Sequence, residues 1–157
     1  MTVAFDELID KTLSSSFENS LKEVDINKIK SPFNQPIDKS YTIDNNLIDL
    51  GMIYHLNLDG KFNDQKALRK MLDVLSKKYV RIRRESIQEK NSGNIYSTEE
   101  NGYVYDSYER FAYISKIITK QDEAWILILT FNDQAKDKVK DFLDSIWIEK
   151  EKGVKLS

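Results

Sequence analysis

The sequence predicts an α+β domain: a mostly antiparallel sheet covered by two amphipathic helices, with an N-terminal helical segment ahead of it. Three observations carry that reading. After Leu47, apolar residues recur at every second position, Leu50, Met52, Tyr54, Leu56 and Leu58, as in a half-buried strand. Two later stretches repeat at helical spacing instead: Leu68, Met71, Leu72, Leu75 and Tyr79, then Ala135, Val139, Phe142, Leu143 and Ile146. Between them lie alternating or continuous apolar runs, separated by short polar turns.

Taken in order, Phe5, Leu8, Ile9 and Leu13 form a helical stripe over about residues 6–14. Ser15 and Glu18 have capping-box spacing, and Phe17, Leu21 and Val24 extend a second helix to about Lys30. Pro32 and Pro36 then disfavour helix, so residues 31–46 read as an extended connector. The strand after Leu47 ends at Asp59-Gly60, and Asn63 or Asp64 caps a helix running to about Lys78. A strand follows over residues 79–88, with Val80 and Ile82 alternating with Arg81 and Arg83.

Asn91-Ser-Gly-Asn94 marks a turn, and Asn101-Gly102 carries the type I′ hairpin signal. That hairpin would join strands near 94–100 and 103–109, pair Thr98 with Tyr105 and Glu100 with Tyr103, and put Tyr96, Tyr103 and Tyr105 on one face. Residues 111–118 form a further strand, and Lys120 to Glu123 a turn. Ala124 to Phe131 is apolar on both faces and belongs at the sheet centre. Asn132 or Asp133 caps the last helix. Phe62-Asn-Asp-Gln65 and Phe131-Asn-Asp-Gln134 repeat one another at the two junctions between apolar strand and amphipathic helix, so both helices can cover a common sheet. The expected organisation is a helical segment over 1–30, a connector over 31–46, an α+β core over 47–148 and a tail over 149–157.

The last third adds a resemblance. Tyr113-Ile-Ser-Lys116, then Ala124 to Phe131, then a helix closing in Phe142-Leu-Asp-Ser-Ile146, resembles the end of the PsbP-like and DcrB-like small α/β/α sandwiches. The resemblance implies a binding or accessory role without a shared catalytic motif, and it assigns no functional residue.

Composition removes several kinds of chemistry. The chain has 157 residues, 24 Lys+Arg, 26 Asp+Glu, one histidine and no cysteine. Thiol catalysis, disulfides, cysteine-based zinc sites and most histidine-ligated metal centres are therefore not expected, and neither is a cofactor. The five glycines form no phosphate-cradling loop. No run approaches the ~20 apolar residues of a membrane span, and the first residues lack a signal pattern. A soluble chain follows, cytoplasmic by default, although an exported mature domain would read the same.

What remains is surface. Residues 64–84 carry eight cations against Asp64 and Asp73, while residues 99–109 carry four acids and no cation. Such a dipolar chain can steer a charged partner, although basic residues also serve simply to block a sheet edge. Tyrosines anchor interfaces at low entropic cost. The expected function is a non-enzymatic protein-binding module of adaptor, secretion-accessory or toxin-neutralising type. Its candidate residues are Lys77, Arg81, Arg83, Arg84, Tyr96, Tyr103 and Tyr105, and its partner is another protein. The alternative is nucleic-acid binding through the basic 64–84 segment. A third possibility, a small hydrolase, would need His55 as base; the carboxylate pairs at Glu99-Glu100 and Asp122-Glu123 sit next to turns and suit solubility better than catalysis.

Overall fold

The computed structural model describes residues 21–44, 46–58, 62–93 and 95–140. Seven strands, β1 (Leu21–Val24), β2 (Ile37–Ile43), β3 (Ile48–Asn57), β4 (Arg81–Ser92), β5 (Ile95–Tyr105), β6 (Arg110–Lys120) and β7 (Glu123–Phe131), form one sheet in the order β1-β2-β3-β7-β6-β5-β4. Every pairing is antiparallel. The run expected at the centre is there: β7 lies between β3 and β6 and is buried at every position.

Helix α1 (Asp64–Ser76) covers one face. Its Ala67, Leu68, Met71 and Leu75 pack with Tyr54, Leu56, Ile117, Ile126 and Ile128. On the opposite face Ala135 and Val139 join Ile53, Ile114, Trp125, Leu127, Leu129 and Phe131. The repeated Asn-Asp pair explains how both helices start. The Asn63 side chain accepts from the Lys66 N–H at 3.0 Å, and the Asn132 side chain accepts from the Gln134 N–H at 3.0 Å. The second helix opens with a 3-10 turn at Asp133–Ala135 and is helical over 136–140; its expected continuation through Phe142, Leu143 and Ile146 lies outside the described residues.

Three expectations are corrected. The N-terminal helical segment is not supported: residues 1–20 lie outside the described residues, and Leu21–Val24 is strand, followed by a 3-10 turn at Ile26–Lys28. Leu21 and Val24 sit at helical spacing by coincidence, since β1 gains a ladder against β2 that an isolated helix could not offer. The stretch after Pro36 is extended as expected, but as a laddered strand: β2 pairs with both β1 and β3.

The third correction concerns Asn101-Gly102, which lies inside β5 rather than in a turn. The bend comes at Gly93, with φ of +64°. Gly102 serves close approach instead: a side chain there would run into the Arg83 carbonyl beside the bulge between Arg84 and Ser86. Tyr103 consequently pairs with Arg83 and Ala112, not with Glu100.

Candidate protein interface

The register of the last three strands decides which candidates meet. On the face away from α1, Arg81 and Arg83 of β4 lie directly across from Tyr105 and Tyr103 of β5. The Arg81 guanidinium lies 5.2 Å from the Tyr105 ring centroid, and the Arg110 guanidinium lies 4.3 Å from the Tyr103 ring centroid. Both are within cation–π range. Arg110 is held in turn by Asp133, Nη2 to Oδ2 at 2.7 Å, and Arg83 lies 3.3 Å from the Glu85 carboxylate.

The β5–β6 loop extends this patch. The Asp106 carboxylate accepts from the backbone N–H groups of Tyr108 and Glu109, both at 2.7 Å, which holds its carboxyl below the usual carboxylate range. The turn so fixed presents Tyr108 at 97% exposure. Val80, 77% exposed, sits at the same end of the sheet, donating its N–H to the Tyr105 carbonyl at 2.9 Å.

The other candidates lie elsewhere. Lys77 is exposed at the C-cap of α1. Arg84 and Tyr96 fall on the α1 face of the sheet, because β5 runs unbroken through Asn101-Gly102 and its side chains keep alternating. Tyr96 therefore does not share a face with Tyr103 and Tyr105. The basic 64–84 segment is also divided: Lys66, Arg69 and Lys70 ride on α1, while Arg81 and Arg83 sit on the far face. Arg110 joins the patch through register alone; nothing in its local sequence announces it.

Arg84 donates through Nε to Glu100, whose side chain is buried on the α1 face with Oε2 lacking a hydrogen-bond partner. Burial pushes the Glu100 carboxyl up, opposed in part by Arg84. Raised in the fold, this group favours folding below the ordinary carboxylate range, and that contribution is lost as pH rises through the raised value. Glu100→Gln is expected to flatten the fall in stability between mildly acidic and neutral pH, measured by urea denaturation across that range. An unchanged slope would contradict this account of Glu100.

His55 is buried on the other face, tilted against Trp125 at 4.5 Å between centroids. Its Nδ1 lies 3.0 Å from Asp38 Oδ2 and its Nε2 3.9 Å from Glu123 Oε1. Asp38 escaped the sequence reading because β2 was read as connector: Ile37 packs on the α1 face and Tyr41 and Ile43 on the other, so the register shift between Ile37 and Lys39 interrupts the strand period. The imidazole thus ties β2, β3 and β7 together. Among the described residues no three His, Cys, Asp or Glu side chains converge as metal ligands, and no helix is long and apolar enough to cross a membrane.

No family model and no curated protein matches the chain. Solved structures do. The cyanobacterial PsbP (CyanoP) of Synechocystis superposes with a TM-score of 0.58 at 10% identity, over 82% of this chain and 79% of that one. The chain has a PsbP-like fold. The likeness runs well beyond the last third that carried the resemblance in sequence. Two further structures align less closely with this fold. PA94 of Pseudomonas aeruginosa, described as a putative regulator, has a TM-score of 0.45 at 11% identity, covering 79% of each chain. LpqN of Mycobacterium tuberculosis, described as involved in cell envelope biogenesis, has a TM-score of 0.41 at 13% identity, covering 83% of this chain and 76% of its own.

Proposed function

We propose that this chain is a non-enzymatic protein-binding module, docking an acidic partner surface on the β4–β5 wing of the sheet. The observation that carries the reading is the pair of stacked arginine–tyrosine contacts, Arg110 on Tyr103 and Arg81 on Tyr105, beside the exposed Tyr108. Stacking holds these long side chains before any partner arrives, which lowers the entropic cost of binding. Arginine and tyrosine are also the residues on which interface energy concentrates. Of the sequence candidates, Arg81, Arg83, Tyr103 and Tyr105 form the surface, and Arg110 and Tyr108 complete it. Lys77 stands at the helix end, and Arg84 and Tyr96 on the reverse face. An accessory role of this kind suits a PsbP-like fold whose one imidazole is buried between carboxylates.

Affinity capture from the native source with wild-type protein and with an R81E/R83E/Y108A variant tests it. All three positions are exposed, so the variant should keep its circular dichroism spectrum and melting temperature. Loss of anchors of this type costs about 2 kcal/mol or more, roughly thirty-fold in affinity. A protein retained by the wild type and lost with the variant supports the reading. An identical set of partners, or none above background, overturns it. So does steeply salt-dependent binding of single-stranded RNA that the same substitutions abolish, which would move the patch to the nucleic-acid reading.

A further inference from the structure

A groove of about 660 Å³ separates α1 from the loop that precedes β2, on the face opposite the tyrosine patch. Its volume falls within the range of small-molecule sites. One wall is built in advance. The Ser31 hydroxyl donates to the Gln35 carbonyl at 2.7 Å and accepts from the Phe33 N–H at 3.1 Å, which, with Pro32 and Pro36, pins residues 31–36. Phe33 is buried edge-on to Tyr54, with ring centroids 5.5 Å apart, and forms apolar lining together with Phe62 and Leu72.

The other wall is charged. Lys66, Arg69 and Lys70 recur at i, i+3 and i+4 along α1 and all line the groove, against a single acid, Asp73, one turn further on. Among the described residues none of the three cations forms an ion pair, whereas Lys22, Lys78, Arg83, Arg84 and Arg110 all do. Gln35 lines the same groove, a polar side chain beside the apolar wall.

We propose that this groove binds an anionic amphiphile: an acidic head held by Lys66, Arg69 and Lys70, and an apolar body laid on Phe33, Phe62 and Leu72. The three cations select charge, and the aromatic floor selects against small inorganic anions. This ligand is independent of the protein partner proposed above, since it uses another face and other residues.

The probe is N-decanoylglycine, which has a carboxylate, one amide N–H and an alkyl chain, with N-decanoylglycinamide as the uncharged control. Titration of the ¹⁵N-labelled full chain should show saturable one-to-one binding below about 1 mM. Shifts should concentrate in residues 33–35, 62–63 and 66–73. The control should bind at least tenfold more weakly, and a K66E/R69E variant, altered only at exposed positions, should lose at least tenfold while keeping its melting temperature. No binding overturns the proposal, as does binding matched by the control, binding unaffected by K66E/R69E, or shifts confined to other surfaces. Shifts in these residues on adding an acidic peptide such as oligoglutamate, with none from N-decanoylglycine, would assign the groove to a protein and equally overturn it.

Discussion

Trp125→Ala is expected to lower the unfolding free energy by about 3–5 kcal/mol, the range for deleting a fully buried large aromatic. Trp125 is 1% exposed on β7, the strand with three neighbours on each side, and lies in register with His55 of β3 and Ile118 of β6. Removing the indole takes away the surface against which the His55 ring packs, at 4.5 Å and tilted by 42°. It also leaves a void between Ile118 and Leu127 on a face whose backbone is held by ladders on both sides, so collapse can recover little. Urea denaturation followed by far-ultraviolet circular dichroism measures the loss. A cost under about 1 kcal/mol would mean that Trp125 is not packed between these strands.

Gly102→Ala is expected to cost about 3 kcal/mol or more, at the upper end for overpacking. A Cβ at Gly102 would run into the Arg83 carbonyl oxygen and lie 2.8 Å from Tyr113 Cε1. The first obstacle is backbone, so it cannot swing aside as a flexible side chain would; β4 must shift and break ladder bonds to β5. Amide exchange should therefore quicken along β4, while β3 and β7 stay protected. Gly93 supplies the contrast. Nothing lies within 4 Å of a Cβ there, and its φ of +64° limits the cost of Gly93→Ala to about 1–2 kcal/mol. If Asn101-Gly102 were a hairpin turn, Gly102→Ala would cost no more than Gly93→Ala. The ordering of the two variants thus decides between the turn and the strand, and with it whether Tyr103 and Tyr105 face Arg81 and Arg83.

Legibility in the sequence followed the strength of the local period. The α1 stripe, the alternation of β3 and the unbroken apolar run of β7 were readable because each element buries a patterned face, and the pattern survives in one dimension. The edge of the sheet was harder. β1 spans only four residues, β2 directly follows two prolines, and both draw their stability from pairing with other strands, so local signals misassigned β1 as helix and β2 as connector. The Asn-Gly dipeptide misled for a related reason: glycine marks both turns and close backbone approaches, and only the bulge of β4 against β5 distinguishes them.

Of the candidate site, the residue types were visible and their grouping was not. Arginine and tyrosine in quantity could be counted, but which of them share a face depends on parity, and parity depends on where the hairpin turns. One misplaced turn moved Tyr96 to the wrong side and hid Arg110. The sequence by itself determined the fold class, the central strand, the Asn-capped helix starts and the missing thiol chemistry, because these rest on local periodicity and composition. Tertiary structure alone decided the strand order, the clasp of His55 between Asp38 and Glu123, the stacked arginines and the cationic groove, because each depends on contacts between residues distant in sequence.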